Sequence, residues 1–205
     1  MNIERQKIVN PNKRWAIIAL NSTTSSLAKK IQEKYGQEVP IDFFDSLKEI
    51  NQKTFGRYSA IIYIMAMGIV VRHIAPYIKE KQSDPAIICI QSLGEYVIPV
   101  LSGHIGGANA LSLELAKSLG AKAVITTASD LFQTTAVDLF AQKYHLRIEN
   151  FEEAKNITAM LIEKKSIGLM NNSRLSISKE DIKDFIPIHN NIRNKESNTI
   201  EGLVL

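Results

Sequence analysis

YVIPVLSGHIGGANALSLELAKSLGAKAVITTASD, residues Tyr96–Asp130, sets the architecture of this chain. An apolar run, Tyr96–Leu101, breaks off at Ser102-Gly103-His104-Ile105-Gly106-Gly107. An amphipathic segment follows, with Ala110, Leu111, Leu113, Leu115, Ala116 and Leu119 at helical spacing, and then a second apolar run, Ala123–Thr126, that ends in Thr127 and Asp130. A strand, a glycine-rich turn, a helix and a strand in succession are the repeating unit of an open α/β sheet. The polar residues gather where each strand hands over to the next segment. Ligands of such sheets bind in the crevice outside the carboxyl ends of the strands, so a site is expected there.

The same alternation extends upstream. Trp15–Leu20 reads as a buried strand, and Asn21–Ser26 (NSTTSS) is rich in helix N-cap residues and leads into a helix near Leu27–Tyr35. Strands follow at Val39–Phe43, Ala60–Ala66 and Ala86–Gln91, with helical segments over Ser46–Phe55 and Gly68–Glu80, the latter interrupted by Pro76. Gly94-Glu95 makes a tight turn into Tyr96–Leu101, which predicts an antiparallel pair in an otherwise parallel sheet. The helix after Gly107 ends at Gly120, a C-cap position. Continuous apolar strands imply a mostly parallel open sheet with helices on both faces. Beyond residue 131 the texture changes to helices at Ala136–Tyr144 and Glu152–Lys164 and short strands at Ile167–Met170 and Gly202–Leu205. The expected organisation is therefore an N-terminal α/β domain over 1–131 and a smaller α/β domain over 132–205. Asn190–Thr199 reads as a solvated loop, and there is no internal repeat.

With 205 residues, 45% hydrophobic and 22% charged, the composition is that of a globular protein. The net charge of +4 is unevenly placed: residues 1–130 carry 15 Lys/Arg against 11 Asp/Glu, and residues 131–205 carry 10 of each. A basic excess in the half that holds the glycine turn favours an acidic small-molecule substrate. The basic residues are dispersed without interleaved aromatics, which argues against nucleic acid. The longest apolar run, Ala60–Val71, has 12 residues, short of the roughly 20 that span a bilayer. No signal-peptide core is found, so a cytoplasmic protein without a membrane partner is expected. The single cysteine, Cys89, lies in an apolar strand and reads as an inert core residue. One cysteine and four scattered histidines (His73, His104, His145, His189) offer no metal-ligand spacing.

Chemistry concentrates in three places. In Ser102–Asn109, the glycines Gly103, Gly106 and Gly107 would let backbone N–H groups approach a carboxylate or an oxyanion, and the bland alternative is a tight turn that only packs helix on sheet. His104 is unusual in a turn and could act as a general base. After the third strand, Gly68 marks a turn and Arg72 is the one strong charge in an apolar dozen residues; it either pairs with a buried acid or contacts a ligand carboxylate. His73 and Asp84 read as structural. Thr126, Thr127 and Asp130 would suit substrate hydrogen bonding or acid/base work, or would cap the next helix. The turn after the first strand is not a dinucleotide fingerprint, and no P-loop occurs.

Taken together, GIVVRHIAP (Gly68–Pro76), KQSDPAI (Lys81–Ile87), GEYVIPVLSGHIGGAN (Gly94–Asn109) and AVITTASD (Ala123–Asp130) resemble the cobalt-precorrin-5A hydrolase family of anaerobic cobalamin biosynthesis. The resemblance covers that family's N-terminal domain, and the remainder is similar to its central domain; the family's usual C-terminal domain is not seen. It implies a hydrolase that opens the lactone of a cobalt-tetrapyrrole and releases acetaldehyde to give cobalt-precorrin-5B. Cobalt would belong to the substrate, so no cofactor is implied, and the partner would be the tetrapyrrole, with a separate C-terminal domain or a second copy as further possibilities. In this reading His104 activates water and Asp130 orients it or acts as the acid. Arg72, Gly68, Ser102, Gly103, Gly106, Gly107, Asn109, Thr126 and Thr127 bind substrate at one shared concave edge. The competing readings are a non-catalytic corrinoid-binding module and an enzyme that grips a phosphorylated metabolite at the glycine turn.

Overall fold

The computed structural model describes residues 13–80, 83–132, 134–171, 175–188 and 202–204. The solvated loop expected at 190–199 lies outside them. The chain divides into two units, 1–125 and 126–205. The division expected after residue 131 thus falls inside the second unit, because the short helix at Ala128–Leu131 packs against a helix of that unit at Phe151–Ile162.

The first unit holds a six-stranded sheet in the order β2-β1-β3-β4-β5-β6. Its strands are β1 (Trp15–Ala19), β2 (Ile41–Phe44), β3 (Ala60–Ile64), β4 (Ala86–Ile90), β5 (Tyr96–Leu101) and β6 (Lys122–Ala123). The strands β1, β2, β3 and β4 pair in parallel. β5 runs antiparallel to β4, and β6 runs parallel to β5. The residues of β1, β3 and β4 are all buried, as continuous isoleucine-rich runs require when both sheet faces are covered.

Strand alternation sends the core in two directions. Trp15, Ile17, Ile62 and Ile88 meet α1 (Ser22–Tyr35) and α3 (Ala108–Leu119) on one face. Ala16, Ile61, Tyr63 and Cys89 meet α2 (Met67–Ile74) on the other. Each fully buried isoleucine stabilises this arrangement by roughly 1.5–3 kcal/mol.

The caps follow the sequence. Asn21 accepts from the Thr24 amide at 3.0 Å while the Thr24 hydroxyl oxygen accepts from the Asn21 amide at 3.2 Å, a closed capping box that starts α1. α3 is bounded by Gly107 and Gly120, both left-handed at φ 79° and 67°.

Two local expectations are corrected. The helix expected over 46–55 is replaced by single 3-10 turns at Leu47–Glu49 and Phe55–Arg57. Between them Thr54 Oγ1 donates to the Glu49 carbonyl at 2.8 Å and Asn51 Oδ1 accepts from the Lys53 amide at 3.0 Å, giving the backbone a non-helical alternative. α2 stops at Ile74 rather than reaching Glu80, since Pro76 has no N–H to continue it.

The second unit comprises α4 (Ala128–Leu131), α5 (Val137–Lys143), α6 (Phe151–Ile162), β7 (Ile167–Met170), β8 (Phe185–Ile188) and β9 (Gly202–Val204). Its three strands lie in the order β8-β7-β9, all parallel. Val137, Ile157, Leu161, Ile167 and Phe185 form its core. Asp181 accepts from Lys143 Nζ, the Tyr144 hydroxyl and the Ser178 hydroxyl, tying α5 to the segment before β8. These donors hold the Asp181 carboxyl down at about 2, with the Lys143 ammonium as the largest cause.

Candidate functional site

The turn after β5 is built by close backbone approach. Ser102 has φ 57°, a left-handed conformation uncommon for a side-chain-bearing residue. Its hydroxyl donates to the Asp84 carbonyl at 2.9 Å. The Asp84 carboxylate in turn accepts from the Lys79 amide at 2.9 Å, tying the segment before β4 to the end of the α2 loop. A methyl group on Gly106 would lie 2.4 Å from Ser102 Cβ and 2.8 Å from the Ser102 carbonyl oxygen. One on Gly103 would lie 2.7 Å from Asn109 Oδ1. His104 is enclosed by this turn, with 8% of its surface exposed.

Several N–H groups that the sequence offered to a ligand are spent inside the turn. The amide of Gly107 donates to the His104 carbonyl at 2.8 Å, that of Ala108 to the Ser102 carbonyl at 3.1 Å, and that of Asn109 to the Gly103 carbonyl at 3.0 Å. The Gly106 amide makes no such backbone bond among the described residues. Ser102 and Asn109, both expected to bind substrate, are buried scaffold: the serine proton is given to Asp84, and the asparagine amide is packed under Gly103. The turn therefore holds His104 in a buried position and does not form an open cradle of amides.

The direction of β5 decides which groups share an edge. Leu101 pairs with Ile87 and Val97 with Ile90, so β5 ends where β4 begins. His104 consequently lies at the amino edge of the parallel strands. Gly68 and Arg72 belong to α2, which follows the carboxyl end of β3, and the Arg72 guanidinium folds back onto the first helical turn to donate to the Gly68 carbonyl at 3.3 Å. A five-residue strand, about 16 Å long, separates the two edges. α2 and α3 also cover opposite faces. The expected convergence of Arg72 and Gly68 with His104 is therefore not formed, because one reversed strand carries the histidine turn to the far edge.

Thr126, Thr127 and Asp130 belong to the second unit. Thr127 is the N-cap residue of α4, without a side-chain capping bond, and Asp130 is exposed in that helix's first turn. Elsewhere His73 Nε2 donates to the Leu47 carbonyl at 2.9 Å, leaving Nδ1 to accept from the Tyr63 hydroxyl at 3.1 Å. Burial pushes the Cys89 thiol up to about 11, and its sulfur donates to the Met65 carbonyl. Among the described residues no three His, Cys, Asp or Glu side chains cluster to hold a metal ion, and no helix is long and apolar enough to cross a membrane.

Two family models match the chain: the cobalamin synthesis G N-terminal model over residues 49–130 and the cobalamin biosynthesis central region model over 135–205. The cobalt-precorrin-5A hydrolase of Salmonella typhimurium is 40% identical over 159 residues, which cover 76% of this chain and 45% of that protein. The enzyme of the same name from Priestia megaterium is 41% identical over 145 residues, covering 70% and 39%. A crystal structure of a cobalamin biosynthesis protein G homolog from Sulfolobus solfataricus superimposes with a TM-score of 0.57 at 26% identity, covering 94% of this chain and 60% of that one. The chain thus spans less than half the length of the two curated relatives.

Proposed function

The chain belongs to the cobalamin biosynthesis protein G family, and on that premise we propose that it performs, or supplies two domains for, the hydrolysis of cobalt-precorrin-5A. The observation that carries the reading is the 40% identity to a curated hydrolase of that substrate over 159 residues. In the proposed reaction water attacks the lactone carbonyl of the cobalt-tetrapyrrole and the ring opens. A two-carbon unit then leaves as acetaldehyde to give cobalt-precorrin-5B. Cobalt enters as part of the substrate, so the protein needs neither a cofactor nor a metal ligand set of its own. The reaction is one of the cytoplasm.

We assign His104 to water activation. An imidazole can take a proton near neutral pH, and the turn that holds His104 is fixed at Ser102 and Gly106, which orients the ring without a mobile loop. The Gly106 amide would meet negative charge developing on the lactone oxygen, with Gly103 and Gly107 shaping the turn.

Acetaldehyde release from cobalt-precorrin-5A, followed for the wild type and His104→Asn, tests the reading. General-base catalysis contributes about a hundredfold or more, so His104→Asn should lose at least about tenfold in kcat. Unchanged turnover removes His104 from the mechanism. A second reading is a corrinoid-binding module that acts with a further domain or a further copy. It predicts tetrapyrrole binding by this chain without acetaldehyde.

A further inference from the structure

The carboxyl edge of the six-stranded sheet has a character that the His104 turn does not explain. Four apolar side chains are exposed where strands end or begin at that edge, among polar ones such as Asn21 and Ser22: Leu20 after β1 (42%), Ile69 in the first turn of α2 (40%), Leu93 in the β4–β5 turn (67%) and Tyr96 at the start of β5 (43%). A tight turn seldom spends an apolar residue on solvent, and Leu93 is the most exposed of these. The edge is also the topological switch point of the sheet, since the chain leaves β1 outward to β2 and then crosses to β3, and open α/β sheets bind ligands at that place.

Charge accompanies the apolar row. The Arg72 guanidinium lies at this edge with the Gly68 carbonyl as its only partner among the described residues. Lys122 stands beside Tyr96 in the β5–β6 register and is exposed; the exposed acids at this edge are Glu95 before β5 and Asp45 after β2. From β1 to β5 the sheet is three strand spacings wide, about 14 Å, the breadth of a substituted tetrapyrrole ring.

We infer that this edge is a binding surface for a flat apolar ring bearing peripheral carboxylates, its ring lying on Leu20, Ile69, Leu93 and Tyr96 and a carboxylate meeting Arg72. The identification of that ring as a tetrapyrrole rests on the function proposed above; the apolar and cationic chemistry does not. The surface lies a full strand length from His104, so one ligand molecule does not serve both places on a single unit.

The test is titration of the full chain with cobyrinic acid, a cobalt corrin whose peripheral carboxylates are free, and in parallel with its neutral permethyl ester. Binding is followed by absorbance for the wild type, Arg72→Gln and Leu93→Ser. Arg72 and Leu93 are exposed, so their variants fold. Loss of a charge-assisted contact should weaken the acid roughly tenfold in Arg72→Gln, Leu93→Ser should weaken it several-fold, and the ester should bind the wild type as weakly as the acid binds Arg72→Gln. Binding that is indifferent to Arg72 and Leu93, or no binding to the wild type, overturns the inference. Acetaldehyde release together with Arg72-independent binding overturns it and leaves the hydrolase reading intact. Arg72-dependent binding without any turnover supports it and counts against catalysis by this chain.

Discussion

Replacing Gly106 by alanine tests the construction of the histidine turn. The added methyl would stand 2.4 Å from Ser102 Cβ and 2.8 Å from the Ser102 carbonyl oxygen, against an ordinary carbon–carbon contact of about 3.5–4.0 Å. Neither neighbour can swing away. Ser102 is held in its left-handed conformation by a hydroxyl bonded to Asp84 and a carbonyl bonded to the Ala108 amide. Relief therefore requires the backbone to move, at the upper end of the about 1–3 kcal/mol that overpacking costs. At about 2–4 °C per kcal/mol for a chain of this size, about 3 kcal/mol lowers the melting temperature by about 6–12 °C. Gly107→Ala is the matched control, since it meets no atom within 4 Å and suffers only from φ 79°, a conformational cost of about 1–2 kcal/mol. Thermal and urea unfolding of both variants measure the difference. Gly106→Ala as stable as the wild type, or more stable than Gly107→Ala, would refute the picture of a turn closed by backbone contact.

Other outcomes follow from buried or paired groups. Ser112 is fully buried and its hydroxyl has no partner among the described residues, so Ser112→Ala should be neutral or stabilising by up to about 1 kcal/mol, read from urea midpoints. The Cys89 thiol, raised to about 11, should resist thiol reagents at pH 8 in the folded protein and react on unfolding; rapid reaction under native conditions would place it at the surface. Because that thiol ionises more readily once unfolded, near its ordinary 9.0, its contribution to stability should fade as pH rises from about 9 to 11, and Cys89→Ala should remove that part of the alkaline slope. The Asp181 carboxyl moves the opposite way. Held at about 2 against an ordinary 3.8, it stabilises the second unit above pH 3.8, and that contribution is lost as pH falls toward 2. Hydrogen exchange around residues 178–181 should accelerate over that interval, and Lys143→Met should flatten the response.

Much of this architecture is written in the order of residue types. The isoleucine runs of β1, β3 and β4 announce strands covered on both faces, NSTTSS announces a capped helix, and Gly94-Glu95 announces the antiparallel β5. Other features depend on partners distant in the chain. The edge segment FIPI, now β8, carries Pro187 and has no alternation to mark it. Side-chain bonds of Asn51 and Thr54 override the helical pattern of 46–55, and the tie between Ser102 and Asp84 spans 18 residues. For the candidate site, His104 and Arg72 stand out as residue types, yet their separation follows only from strand direction. Leu93, an apolar side chain placed in a turn, is the sequence signal for the opposite edge.

A single reversed strand thus makes the first unit bipolar. Groups set so far apart, on opposite helical layers and without common neighbours, should act as independent reporters. Free-energy effects of substitutions at Arg72 and His104 should sum within about 0.3–0.5 kcal/mol in the double variant, and each pole could be remodelled without disturbing its antipode.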